Sequence, residues 1–130
     1  MKDINFFGDE AEFNHVGLAV RAIDPLLASQ KINEPVQRVF IALIKINGCP
    51  VELIEPLDES SPVIGMLNKG ISAYHLCFKV PDLDAALEIS SRHGFRRISE
   101  PVQTVAFGNR RIVWVFSPVY GLFELLENEA

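Results

Sequence analysis

Two stretches of this chain are versions of one another, and that duplication limits the fold more than any bulk property. His15-Val16-Gly17-Leu18-Ala19-Val20 returns as His75-Leu76-Cys77-Phe78-Lys79-Val80, and Val51-Glu52-Leu53-Ile54-Glu55 returns as Phe123-Glu124-Leu125-Leu126-Glu127. The histidines stand 60 residues apart and the first glutamates of each pair 72. A repeat of that length holds one helix and several strands, more than a solenoid unit does.

Each half has the same order of elements. In the first, an alternating strand over 13–20 runs into Ala22-Ile23-Asp24-Pro25, an acid-then-proline helix start. Glu34-Pro35 keeps that helix short, and 36–46, rich in Val, Ile and Phe, reads as a strand. Asn47-Gly48 is a two-residue hairpin signal that returns the chain antiparallel through 50–55. In the second half a strand over 73–80 precedes a helix over 82–93, with Leu83, Ala86, Leu87 and Ser90 on one face. Gly94 stops it. A strand over 95–106, a turn at Gly108-Asn109 and strands over 110–116 and 122–127 follow. The expectation is an α+β fold of two βαβββ modules in a mixed sheet, the first abbreviated in the strand after its helix. Module 1 covers about 12–57 and module 2 about 72–128, within one domain over 1–130. The linker at 58–71 has Ser60-Ser61-Pro62 capping a short apolar turn.

A chain of 130 residues suits one domain with a real core, and 48% hydrophobic against 22% charged residues excludes a disordered chain. No apolar run approaches the roughly 20 residues of a membrane helix. The opening MKDINFFGDEAEF lacks the apolar core of a signal peptide, and two cysteines, Cys49 and Cys77, make no disulfide framework. These features predict a cytoplasmic protein. A net charge of −5 argues against a nucleic-acid partner. The pairs Arg96-Arg97 and Arg110-Arg111 either decorate solvent faces or meet an anionic group of a substrate.

Side chains alternate along a strand. His15 therefore shares a face with Gly17 and Ala19, and His75 with Cys77 and Lys79. Val16, Leu18 and Val20, like Leu76, Phe78 and Val80, take the opposite face, expected to pack on the helices. The histidines are expected on the thinner, more polar face, where small neighbours leave room in a cleft. Glu52 goes with Ile54 and Glu124 with Leu126, while Glu55 and Glu127 point the other way. One glutamate per strand can join the histidines, and parity leaves open which. A glutamate between Val51 and Leu53, or Phe123 and Leu125, is costly to bury alone, and a divalent cation removes that cost. A single strand histidine is more often structural than a ligand; two at equivalent repeat positions, each with an equivalent glutamate, point to a site.

The other motifs carry less. His93 beside Gly94 suits a helix C-terminus. Neither cysteine has a partner at metal or redox spacing, and Trp114 reads as core or cleft wall.

Asn14-His15-Val16-Gly17-Leu18-Ala19-Val20, Val51-Glu52-Leu53-Ile54-Glu55-Pro56-Leu57 with Ser61-Pro62-Val63-Ile64, Tyr74 through Val80, and Gly121 through Glu127 together resemble the vicinal oxygen chelate superfamily. Within this glyoxalase/bleomycin resistance fold the likeness is to the bacterial glyoxalase I and methylmalonyl-CoA epimerase branch, over about residues 12–128. The resemblance implies a cupped sheet, a homodimer, and one divalent ion (Zn, Ni, Co, Mn or Fe). Its ligands fall at His15 and His75 on the first strands and at Glu52 and Glu124 on the last, which selects these glutamates over Glu55 and Glu127. The aromatic Phe-Tyr pair common near the first module's helix end is absent. The position where some epimerases carry an additional acidic base is Ile41 here.

The chemistry of that branch is proton movement next to a carbonyl, with an enediolate or enolate stabilised by the metal and Glu124 or Glu52 as base. The expected function is a metal-dependent lyase or isomerase acting on a small oxo compound, such as a hemithioacetal, or on an acyl thioester. The alternatives are a non-haem metal dioxygenase and an antibiotic-type small-molecule binding protein without catalysis.

Overall fold

The computed structural model describes residues 1–128, so the last two residues of the expected 1–130 domain lie outside the described residues. The chain groups into two compact units. One holds His15–His75 with Thr104–Gly108; the other holds Met1–Asn14, Leu76–Gln103 and the stretch from Asn109 onward.

The first of these units contains most of β1 (Glu12–Ala19), then a 3₁₀ helix (Pro25–Gln30), β2 (Lys31–Glu34), β3 (Val39–Ile46), β4 (Cys49–Pro56) and α1 (Val63–Asn68). Its strands lie in the order β2-β3-β4-β1, with β1 parallel to β4 and the other pairs antiparallel. The other unit contains most of β5 (Ala73–Val80), then α2 (Leu83–Ser91), β6 (Arg96–Arg97), β7 (Val102–Thr104), β8 (Arg110–Ser117) and β9 (Gly121–Glu127). Here the order is β5-β9-β8-β6, with β5 parallel to β9. Each repeat is a mixed sheet with few helices, as the duplicated pattern predicts, and its first and last strands pair in parallel.

Local chemistry explains the departures. The Asp24 side chain accepts from the Leu26 N–H at 2.9 Å and starts a helix at Pro25, but the six residues bury no face and wind as 3₁₀. Its counterpart α2 starts on Asp82, which accepts from the Ala85 N–H, and buries Leu83, Ala86 and Ser90. The strand after the first module's helix is abbreviated, as expected: β2 is four residues long. β3 begins at Val39 rather than 36, because a turn follows Glu34-Pro35 and ends at Arg38 with φ 60°. The strand expected over 95–106 is broken into β6, β7 and a 3₁₀ turn at Val105–Phe107. Pro101 has no N–H to give a ladder, and the Trp114 N–H donates instead to the Ser99 hydroxyl at 3.0 Å. The expected serine cap on α1 is absent: Pro62 occupies the cap position without a side-chain hydrogen bond. At Asn47-Gly48, φ values of 48° and 85° give the hairpin geometry that matches strand twist.

One core cluster, Phe7, Val80, Leu83, Ala86, Phe95, Val113, Val115 and Leu125, belongs to the α2 unit. The other unit has two: Ile23, Ala42, Val51 and Leu53 on one sheet face, and Val39, Ile41, Ile54 and Val63 on the other. Leu18 and Val20 join the first of these, so the apolar face of β1 packs toward the 3₁₀ helix as expected. The histidine face is not the more open one. Along β1 the residues His15, Gly17 and Ala19 are buried while Val16 and Leu18 are only half-buried. Among the described residues no helix is long and apolar enough to cross a membrane.

Candidate metal centre

The register assembles the site. Gly17 on β1 lies opposite Glu52 on β4, and Glu52 opposite Leu43 on β3. Paired residues share a face, so Leu43, Glu52 and Gly17 form one row, and His15 shares its side. His75 reaches the same place from β5. A Cβ added at Gly17 would lie 2.0 Å from His75 Cε1 and 2.2 Å from Nδ1, so the ring fills the space that glycine leaves. The Ala19 N–H donates to the Ser72 carbonyl at 2.8 Å and ties the approach to β5 against the end of β1.

Three donor atoms meet there. His15 Nε2 is 3.3 Å from His75 Nε2 and 3.5 Å from Glu52 Oε1, which is 3.6 Å from His75 Nε2. All three residues are buried, at 2%, 4% and 3% exposure for His15, His75 and Glu52. The centre of the triangle these atoms form, in their plane, lies about 2.0 Å from each, close to a zinc–imidazole bond of about 2.0–2.1 Å. Two imidazoles with a carboxylate are a donor set for borderline transition metals, and a cation relieves the burial of the Glu52 charge. The residues fit a divalent ion.

Glu124 stands in the equivalent row of the other unit: β9 sets it opposite Cys77 on β5 and Trp114 on β8. It is 2% exposed. The rows Leu43-Glu52-Gly17 and Trp114-Glu124-Cys77 are therefore repeat counterparts. Trp114 is half-buried in that row.

The structure also separates the glutamates that parity left open. Glu55 accepts from the Ile23 N–H at 2.7 Å and pairs with Lys31 at 3.1 Å. Glu127 accepts from the Leu83 N–H at 3.2 Å and takes a two-bond fork from Arg111 at 3.0 and 2.8 Å. That fork, with the Leu83 bond, holds the Glu127 carboxyl below its ordinary value against a smaller opposing effect of burial. Both outward glutamates thus bind the backbone where the helical segment of their own module begins.

Of the remaining candidates, His93 is exposed, its ring 5.1 Å from that of Phe6. Cys49 is exposed and Cys77 buried, and neither is in a disulfide among the described residues. Arg97 meets Glu100 on the surface. Ile41 is buried on the Glu52 face, opposite Ile54. The residue that periodicity missed is Phe107. Its ring lies parallel to His15, 5.3 Å between centroids and 11° between planes, and an aromatic in a 3₁₀ turn carries no spacing signal.

With this geometry in place, the likenesses to known proteins are informative. The family profile of the glyoxalase/bleomycin resistance protein/dioxygenase superfamily matches residues 14–114. The chain belongs to that superfamily, the vicinal oxygen chelate proteins. It is 28% identical over 107 residues to human mitochondrial methylmalonyl-CoA epimerase, a match over 73% of this chain and 61% of the human protein. The chain thus spans less than two thirds of that relative's length. It is 30% identical over 95 residues to the ethylmalonyl-CoA/methylmalonyl-CoA epimerase of Cereibacter sphaeroides, covering 64% of this chain and 71% of the relative. Among solved structures, the methylmalonyl-CoA epimerase of Mycobacterium tuberculosis superposes with a TM-score of 0.72 at 27% identity, over 91% of this chain and 88% of that one.

Proposed function

We propose that this chain is a metal-dependent isomerase of the epimerase type, moving a proton at the carbon next to the carbonyl of an acyl thioester. The observation that carries this is the buried meeting of His15, His75 and Glu52 at 3.3–3.6 Å. Glu124, the repeat counterpart of Glu52, is the fourth ligand in this account. The likeness to methylmalonyl-CoA epimerases favours an acyl thioester over a hemithioacetal.

A divalent cation held by these residues would act as a Lewis acid, stabilising negative charge on the carbonyl oxygen as the proton leaves. The rest falls to the chain itself. Inverting a carbon centre needs a proton taken from one face and another delivered to the opposite face. Glu124 or Glu52 would be the carboxylate that accepts the proton and returns it. Ile41 on the Glu52 face carries no ionisable group, so the proton work is left to the ligand glutamates. Ile41, Leu43 and Ile54 share the Glu52 face and limit water there, which strengthens electrostatic interactions in the site.

The test is exchange of the α-hydrogen of methylmalonyl-CoA with deuterated solvent, wild type beside Glu124→Gln. The expected result is exchange by the metal-loaded wild type and a loss of about 10²-fold or more in the variant, with an unchanged circular dichroism spectrum. Equal exchange by both proteins would overturn the proposal.

A further inference from the structure

We infer that Phe107 is a positioning residue for the cation: its ring, stacked on His15, holds the imidazole in the plane that lets it face Glu52 and His75. The inference rests on the metal reading above and concerns how one ligand is held.

The terminal torsion of a histidine is broad, so its own rotamer preferences do not fix the plane of the ring. Ligand histidines are fixed by their surroundings. For His75 these are the Gly17 cavity and the Tyr74 ring, 4.6 Å away at 73°. For His15 the broad face of the ring is met by Phe107 at 11°, an offset parallel stack. Rotating the imidazole out of that plane would drive its edge into the phenyl face.

Phe107 can do this because its turn is anchored. Ala106 packs against the Val39, Ile41, Ile54 and Val63 cluster, and Thr104 before it is 1% exposed. Gly108 and Asn109, at φ 66° and 62°, turn the chain away immediately after the ring. Val105 of the same turn points outward at 49% exposure and serves as a control.

The experiment is titration of the metal-free protein with cobalt(II), following its visible absorption and competition with a chelator. The proteins are wild type, Phe107→Ala, Phe107→Leu, Phe107→Tyr and Val105→Ala. The expected result is one ion per wild-type chain and about tenfold or weaker affinity in Phe107→Ala, with a changed visible band. Phe107→Leu, which keeps the apolar bulk but not the flat ring, shows the same change; Phe107→Tyr and Val105→Ala match wild type. Wild-type affinity and spectrum in Phe107→Ala, or in Phe107→Leu where the alanine variant does not fold, overturn the inference and leave the metal reading standing. A wild type that binds no cobalt overturns both.

Discussion

Gly17 and His75 occupy complementary volumes: a Cβ at position 17 would sit 2.0 Å from the Cε1 of the His75 ring. Gly17 is not among the glycines with positive φ, so its backbone would accept alanine and the conflict is purely steric. The two repeats therefore differ at this position, Gly17 against Cys77, for a reason tied to the site. Gly17→Ala is expected to cost about 1–3 kcal/mol by overpacking and to weaken cation affinity about tenfold or more by displacing a ligand. Thermal unfolding and metal titration check both, and undiminished affinity would show that His75 is not held by that cavity.

The outward glutamates make a separate prediction. Glu127 has its carboxyl held below the ordinary value of 4.5 by Arg111 and the Leu83 N–H. A depressed carboxyl contributes stability that is present above 4.5 and is lost as pH falls through the lower folded-state value. Glu127→Gln is expected to melt below wild type at neutral pH, with the gap closing as pH falls below 4.5. A gap that persists into acid contradicts the ionic account.

Glu34 is 1% exposed, at the end of β2 opposite Val39. Gln37 reaches its Oε1 only at 3.5 Å, and its Oε2 has no hydrogen-bond partner among the described residues. A buried acceptor left unmade costs about 1–3 kcal/mol. Glu34→Met, which keeps the length and removes the charge, is expected to raise the unfolding free energy in urea by about 1 kcal/mol or more. A destabilised variant would mean that the carboxylate works for the fold.

Much of this was legible in the chain, for identifiable reasons. Strand β5 falls at Ala73–Val80, as its alternation predicts, and Asn47-Gly48 is a two-residue hairpin. The duplication pointed to His15 and His75 and to one glutamate from each of the pairs Glu52/Glu55 and Glu124/Glu127, because equivalent positions in a repeat carry information that single residues do not; the choice of Glu52 and Glu124 came from the family resemblance. What stayed hidden was set by tertiary contact. Parity told which residues share a face with His15, but not that this face would be the more deeply buried one. β2 is four residues between a 3₁₀ helix and a turn, too short for a pattern. The break between β6 and β7 depends on a Ser99 hydroxyl taking the Trp114 N–H, a bond that no local propensity announces. Phe107 acquires its meaning only when its turn packs beside β1.

His15, His75 and Glu52 are proposed to hold a divalent cation. The most direct measurement is metal content and affinity of the purified protein beside His15→Ala and Glu52→Gln. The expected result is about one tightly bound transition-metal ion per chain in the wild type, lost or weakened about tenfold or more in both variants. A wild type that takes up no ion after reconstitution, or variants that bind as tightly as it does, would contradict it.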